Sequence, residues 1–197
     1  LHLSIRRQRQ MCIRDRIGII DTSSLLAIVR YYLSIKDEAK LLRFLESKFR
    51  YGELILLSSI HGEASKTQKG IILSRMTFLN DKELLTNDTE MLPPAPKKFS
   101  NQLDNNFCIS LQKKRLTEEL YVQQKDAYMQ TGDVKMILYA LNNKPLKPII
   151  ITEETPQSND GKLFKKLPVI CDFLEIDHMS ISEWLSSNGV KLSWTHP

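Results

Sequence analysis

The sequence predicts an α/β protein, a three-layer α/β/α sandwich with a mostly parallel central sheet. Three short apolar runs carry this prediction, at residues 17–20, 54–57 and 149–152. Each run consists of Ile or Leu apart from at most one Gly or Thr, which is typical of strands buried on both faces. The segments between the runs carry apolar residues at helical spacing. Strands that alternate with helices favour a parallel sheet covered by helices on both faces.

The size and composition favour one domain with a substantial core. The chain has 197 residues, of which 42% are hydrophobic and 26% charged. No apolar run approaches the ~20 residues that a membrane-spanning helix needs. We therefore expect no membrane partner, with the single domain at 17–190 and a short tail at 191–197.

The basic charge is concentrated in a leader at residues 1–16. This segment contains five arginines and one aspartate, a net of +4, whereas residues 17–197 carry a net charge of only +1. A basic leader is compatible with a nucleic-acid arm or a targeting segment. It also resembles the translation of a sequencing adapter or vector, and we expect it to be non-native or disordered. The overall charge is therefore not an indication of RNA binding.

The cysteines and histidines do not form a recognisable site. The cysteines at 12, 108 and 171 are odd in number and widely spaced, which argues against a disulfide framework and a zinc knuckle. The four histidines show no HxxxH or HExxH spacing. The cysteine usage therefore predicts a protein of the reducing cytoplasm.

The first half of the domain contains two strand-to-helix transitions. The run at 17–20 ends at Asp21, and the hydroxyl residues Thr22 and Ser23 suit a helix N-cap. Apolar spacing predicts helices over 25–33 and 36–51. The run at 54–57 is followed by two serines as a second cap. We then expect a helix over 60–66 and one or two further helices within 67–85.

The second half begins with an insertion at about 87–130. Its prolines and polar residues predict a loop over 87–100, and sparse apolar residues predict a helix over 101–130. Asp133 opens a strongly periodic helix that ends near Pro145. After the run at 149–152 we expect a short helix over 168–174, an edge strand over 176–178 and a last helix. A capping box of Ser180 and Glu183 marks the start of that helix.

Four acidic residues occupy similar places relative to the predicted elements: Asp21, Glu63, Asp133 and Glu154. In a doubly wound sheet all four can reach one cleft at the carboxyl ends of the strands. Clustered carboxylates repel one another unless a cation is present, and an all-oxygen ligand set favours Mg²⁺ or Mn²⁺. Such a cation stabilises charge on a phosphoryl oxygen, so the expected chemistry is phosphodiester hydrolysis.

Each acid also has a simpler interpretation when taken alone. Asp133 suits a helix N-cap, Glu63 a solvated acid in a first helical turn, and Glu154 a loop charge. Thr22 and Ser23 suit caps first, with contact to a phosphate or a metal-bound water as the alternative. Only Asp21, directly after an apolar strand, is difficult to explain without a functional role.

The ordered set of motifs resembles the PIN-domain nucleases. The motifs are IGIIDTSSLL at Asp21, LSSIHGEAS at Glu63, GDVKMILYA at Asp133 and PIIITEE at Glu154. The resemblance covers residues 17–190, and the tail KLPVICDFLEIDHMSISEWL is similar to a prokaryotic PIN-like branch that resembles the toxins of toxin–antitoxin pairs. Glu154 stands where the family has Asp, and the 87–130 insertion is longer than in compact members.

The resemblance implies a Mg²⁺- or Mn²⁺-dependent endoribonuclease that hydrolyses RNA. Asp21 and Asp133 would be its first metal ligands, with Glu63 and Glu154 completing the site directly or through water. The implied partners are an RNA substrate, an antitoxin protein and a second copy in a homodimer. A catalytically weak PIN-like module that binds RNA or protein is the alternative. A phosphatase is less favoured because no DxDx[TV] motif follows the first strand.

Overall fold

The protein is built on a five-stranded sheet. The computed structural model describes residues 16–33, 38–156 and 161–190. All neighbouring strands pair in parallel, in the order β3-β2-β1-β4-β5, and helices flank the sheet, so the predicted α/β class and three-layer sandwich are confirmed. The strands are β1 (Gly18–Ile20), β2 (Leu54–Leu57), β3 (Leu85–Thr86), β4 (Ile149–Ile151) and β5 (His178–Met179).

Ten α-helices connect and cover the strands in the part of the chain that the structure describes. Two of them, α1 and α5, continue directly into π-helical turns at Ile28–Tyr32 and Leu103–Phe107. The helices are α1 (Thr22–Ala27), α2 (Glu38–Arg50), α3 (Ser58–Lys66), α4 (Ile71–Arg75), α5 (Pro96–Gln102), α6 (Ser110–Lys113), α7 (Glu118–Met129), α8 (Gly132–Asn142), α9 (Leu167–Leu174) and α10 (Ile181–Ser187).

The core lies on both faces of the central strands. Every residue of β1 and β4 is buried, as their continuous apolar runs predict. Gly18 is needed for close packing, because a Cβ there would lie 2.7 Å from Ile151 Cδ1 and 2.9 Å from Leu54 Cδ2. The strand order reverses between β1 and β4, and the crevice outside their carboxyl ends is where open α/β sheets bind ligands.

The long helix predicted over 101–130 is wrong. The chain instead forms the end of α5 with its π turn, then α6 and α7, because the segment between α5 and α6 pairs with a distant one. Ile109 N donates to Leu163 O over 2.9 Å, and Lys165 N donates to Phe107 O over 2.9 Å. These backbone hydrogen bonds require extended chain near Cys108, which interrupts the helix.

Other predicted boundaries shift by smaller amounts. The loop over 87–100 ends early, since α5 begins at Pro96. The edge strand expected over 176–178 is present at the sheet edge but lies at His178–Met179. Strand β3 was not predicted, because its two residues follow short 3₁₀ turns and form no apolar run. The capping box of Ser180 and Glu183 is confirmed, with both of its hydrogen bonds present.

Arg16 is the first residue that the structure describes, and Val190 is the last. The predicted leader at 1–16, apart from Arg16, and the tail at 191–197 lie outside the described residues. Arg16 forms an ion pair with Asp177, with Nη2 and Oδ2 2.6 Å apart. In the described part of the chain, no helix is long and apolar enough to cross a membrane.

Candidate functional site

Asp21 lies at the point where the strand order reverses. It directly follows β1, its backbone N donates to Ile151 O of β4 over 2.9 Å, and only 5% of the residue is exposed. Burial of a carboxylate in this position raises its pKa, and the nearby charge of Glu154 raises the pKa further. The strand therefore delivers an acid whose charged form is disfavoured unless a partner compensates it.

Hydroxyl groups provide part of that compensation. Ser23 Oγ donates to Asp21 Oδ2 over 2.5 Å, and Thr152 Oγ1 donates to the same oxygen over 2.9 Å. Both hydrogen bonds lower the pKa of Asp21 against the larger effect of burial. The prediction that Thr22 and Ser23 act as helix caps is wrong. The N-cap of α1 is Asp21, without a side-chain capping bond, and both hydroxyls donate to acids of the site instead.

Glu63 reaches the same region from α3. Its Oε2 accepts from Thr22 Oγ1 over 3.1 Å, and its Oε1 accepts from Gly132 N over 3.0 Å. Gly132 allows this approach, because a Cβ there would lie 2.9 Å from Glu63 Oε1 and 2.4 Å from Ile60 Cδ1. The helix begins at Ser58, so Glu63 lies beyond its first turn, and the first-turn interpretation is wrong. The serines at 58 and 59 are likewise inside the helix rather than caps.

Asp133 joins the cluster from the start of α8. The N-cap of α8 is Thr131 and its first residue is Gly132, so the interpretation of Asp133 as the N-cap is wrong. Burial raises the pKa of Asp133 to about 7, and the negative charges of Asp21, Glu154 and Glu63 add to the increase. All three of the other predicted acids are therefore close enough to Asp133 to disfavour its charged form. This is the strongest sign that the four acids converge.

Glu154 follows β4 and is held by a backbone amide and a lysine side chain. Its Oε2 accepts from Leu167 N at the start of α9 over 3.2 Å, and its Oε1 lies 3.7 Å from Lys166 Nζ. The adjacent Glu153 has a different role, because its Oε1 accepts from Ile181 N at the start of α10 over 2.7 Å. Two neighbouring acids thus serve different purposes, and only Glu154 belongs to the cluster.

The cluster is a convergent set of acids and not a closed ligand shell. No group of three or more His, Cys, Asp or Glu side chains within residues 16–33, 38–156 and 161–190 is arranged to hold a metal ion. Glu63 and Glu154 direct their carboxylates toward amides, a hydroxyl and a lysine. Burial raises the pKa of Asp21 and of Asp133, and the oxygens of both are suitable ligands for Mg²⁺ or Mn²⁺.

Several residues near the acids escaped the sequence analysis. Thr152 is buried and donates to Asp21, but the sequence alone did not mark it as a site residue. Burial raises the pKa of the Tyr128 phenol, and the charges of the nearby Asp133 and Glu154 raise it further. The lysines in GKLFKK form a visible basic cluster in the sequence, and its Lys162 lowers the pKa of Asp133. Tyr128 has no sequence signal of this kind.

The remaining acids after β4 have roles outside the site. Asp172 pairs with His178, with Oδ1 and Nε2 3.0 Å apart, and Asp177 pairs with Arg16. Both carboxylates are exposed, as expected for solvated acids. Asp160 lies outside the described residues.

Comparison with known proteins gives one family match. The model of a family described as a domain of unknown function (DUF4411) matches residues 19–192, which include all four acids. No curated protein matches the chain in a sequence search.

Proposed function

Starting from the membership of the chain in the DUF4411 family, whose model covers residues 19–192, we propose that the protein is a metal-dependent endoribonuclease. It would hydrolyse RNA phosphodiesters at the cleft outside β1 and β4. The observation that carries the proposal is the convergence of acids on Asp133, whose pKa is raised first by burial and then by the charges of Asp21, Glu154 and Glu63. The resemblance to PIN-domain nucleases supplies the reaction.

The chemistry of the donor set suits a hard divalent cation, and the second carboxylate oxygens would have to turn toward it, because the described side chains are not arranged around one. All four candidate groups are carboxylates, and burial raises the pKa of both Asp21 and Asp133. A divalent cation compensates the repulsion among such groups and favours their charged forms. Asp21 and Asp133 would hold Mg²⁺ or Mn²⁺ directly, with Glu63 and Glu154 completing the site directly or through water.

The residues of the chain have separable roles in this proposal. A bound Mg²⁺ supplies Lewis-acid stabilisation of phosphoryl charge and lowers the pKa of a water molecule. Ser23 and Thr152 hold the Asp21 carboxylate by donating to Oδ2. Thr22 and the Gly132 amide hold Glu63 in the same way, which ties α1, α3 and α8 together at the cleft. These contacts fix the positions of the acids before substrate arrives.

Cleavage of RNA tests the proposal. Wild-type protein is incubated with a labelled single-stranded RNA and Mg²⁺, and compared with D21N, D133N and E154Q. The matched control is E153Q, which removes the same charge one residue away from E154Q. We expect Mg²⁺-dependent cleavage by the wild type and E153Q, and a loss of at least 100-fold in D21N and D133N. Equal cleavage by all variants would contradict the assignment of the acids.

The same resemblance leads us to propose a toxin role in the cytoplasm. The partners would be an antitoxin protein and a second copy of the chain in a homodimer. The two cysteines that the structure describes, Cys108 and Cys171, are buried free thiols, which fits a reducing compartment. Expression in a bacterial host tests the proposal, because the wild type should arrest growth and D133N should not. Equal growth of both strains would contradict it.

A catalytically weak module that binds RNA or protein is the second candidate. It is favoured by the ion pair of Lys166 with Glu154 and by the hydrogen bonds that already engage Glu63. These contacts compete with a cation for the same oxygens. Titration with Mn²⁺ separates the two candidates, because the enzyme requires binding that depends on Asp133 and the module does not.

A further inference from the structure

A cavity of about 480 Å³ opens at one side of the acidic cluster. Asp133 and Glu154 form part of its lining, so the cavity is continuous with the candidate site. Its volume lies within the ~300–1,000 Å³ that is usual for small-molecule and cofactor sites. One nucleotide of a bound strand is the size of group that such a cavity accommodates. The rest of the lining combines a basic edge with an apolar wall.

The basic edge is formed by Lys162, Lys165 and Lys166. Lys162 and Lys165 are exposed, and Lys166 Nζ lies 3.7 Å from Glu154 Oε1. The charge of Lys162 also reaches Asp133. Residues 17–197 carry a net charge of only +1, so three lysines within five positions are a local concentration of positive charge. These ammonium groups line the same cavity as Asp133 and Glu154. Lysines in this position are suited to bind a phosphate next to a scissile bond.

The apolar wall is centred on an aromatic pair. The ring of Tyr128 stacks on Phe164, with centroids 4.1 Å apart and planes inclined by 10°. Ala127 and Leu163 extend the wall. The Tyr128 hydroxyl oxygen is buried and has no hydrogen-bond partner among the residues that the structure describes. A buried donor without a partner is unfavourable, and an oxygen of a bound ligand would satisfy it.

We propose that this cavity is the subsite for the nucleotide next to the scissile phosphate of single-stranded RNA. Lys162 and Lys165 bind its phosphate, the wall at Tyr128 and Phe164 packs against its base, and the Tyr128 hydroxyl donates to one of its oxygens. The bound RNA is single-stranded, because the bases of a duplex are stacked inside it and cannot enter the cavity. The inference rests on the proposed function, since it assigns the substrate to the same cleft.

Binding of RNA measured without turnover tests the subsite. A 12-nucleotide single-stranded RNA labelled with fluorescein is titrated with the full chain. Ca²⁺ replaces Mg²⁺ so that the RNA is not cleaved, and a gel checks that the RNA keeps its length. The variants are the double substitution K162Q/K165Q and the single Y128F, which keeps the ring. The matched control is K97Q/K98Q, which removes two exposed lysines from α5.

We expect K162Q/K165Q to bind at least ~10-fold more weakly than the wild type. Its slope of log K against log salt should be smaller by about 0.7, because the two lysines share one phosphate and each phosphate neutralised on a single strand contributes about 0.7. Y128F should bind about fivefold more weakly through the loss of one hydrogen bond. K97Q/K98Q should stay within twofold. Equal losses in the two double variants, wild-type binding by both site variants, or no binding by the wild type would overturn the subsite.

A crosslinking measurement on the wild type covers the case in which a variant does not fold. RNA containing 4-thiouridine is irradiated in the complex, and adducts are located by mass spectrometry. Adducts on Tyr128 or within 161–166 support the subsite, and adducts only elsewhere overturn it. Cleavage in Mg²⁺ is measured separately. Binding at the cavity without cleavage would refute the nuclease and leave the subsite intact, whereas cleavage with an unchanged KM in both site variants would refute the subsite alone.

Discussion

Removal of the charge of Asp133 should stabilise the metal-free protein at high pH. Burial and the neighbouring acids raise the pKa of this carboxyl to about 7, against an ordinary value of 3.8 for aspartate. In metal-free protein the folded state therefore holds a proton between about pH 4 and pH 7 that the unfolded state has already lost. Stability contributed by this group is present at low pH and is lost as the pH rises through that window. D133N has no carboxyl to charge, so it should escape this loss.

The size of the effect follows from the shift. A difference of about three pKa units, at about 1.4 kcal/mol per unit, gives a ceiling of about 4 kcal/mol between pH 4 and pH 8. Relaxation of the side chains and access of water reduce this ceiling, and we expect about 2 kcal/mol in practice. The raised pKa of Asp21 acts in the same direction and remains in D133N. The two proteins are therefore compared by the difference in their pH dependence.

Urea denaturation in EDTA at pH 4 and pH 8, followed by circular dichroism at constant ionic strength, measures this difference. The wild type should lose about 2 kcal/mol more than D133N between the two values, and D133N should be the more stable protein at pH 8. D126N, which changes an exposed aspartate of α7, should match the wild type. The same pH dependence in wild type and D133N would refute the convergence of charge on Asp133.

Three further substitutions test the contacts that hold the acids. G132A should cost about 1–3 kcal/mol, because its Cβ would lie 2.4 Å from Ile60 Cδ1 and 2.9 Å from Glu63 Oε1. The control G62A has nothing within 4 Å of its Cβ and should be neutral or stabilising by up to ~1 kcal/mol. Equal losses of stability in urea denaturation would refute the close approach of Gly132 to Ile60 and Glu63. T152V should lower the free energy of unfolding by about 1–3 kcal/mol because it removes a donor to Asp21, whereas T152S should retain most of the stability. Indistinguishable unfolding of the two variants would contradict this role of Thr152. S23A should weaken Mn²⁺ binding severalfold by releasing the Asp21 carboxylate, and unchanged calorimetric affinity would count against that positioning.

The central strands were predictable because their burial leaves a direct trace in the sequence. A strand covered on both faces needs apolar residues at every position, so 17–20 and 149–152 are visible as continuous runs. The acid after each run then lies at the carboxyl edge of a parallel sheet by topology alone. The sequence therefore predicts that Asp21 and Glu154 lie near each other.

Other parts depend on pairing between distant segments and leave no local pattern. Strand β3 exists through its register with β2, Leu56 opposite Leu85, and its two residues are only half-buried. The break near Cys108 is caused by hydrogen bonds to residues 163–165, more than fifty positions away. Helical spacing over 101–130 could not reveal them.

The hydroxyls of the site show the same limit. Thr22 and Ser23 stand where helix caps occur, and local chemistry favours that interpretation. The actual partner of Thr22, Glu63, is set by the packing of α1 against α3, and Ser23 donates to Asp21 two residues before it instead of capping the helix. Tyr128 is a further case, because only the fold brings its ring to Phe164 and its hydroxyl toward the acids.

The central claim is that Asp21, Glu63, Asp133 and Glu154 form one site for a divalent cation. Titration of metal-free wild type with Mn²⁺ in a calorimeter at pH 7.5 (a working choice, about half a unit above the pKa of Asp133) tests it most directly. We predict saturable binding that is lost in D133N and D21N, weakened in E154Q and unchanged in E153Q. No saturable heat in the wild type, or equal binding by D133N and the wild type, would contradict the claim.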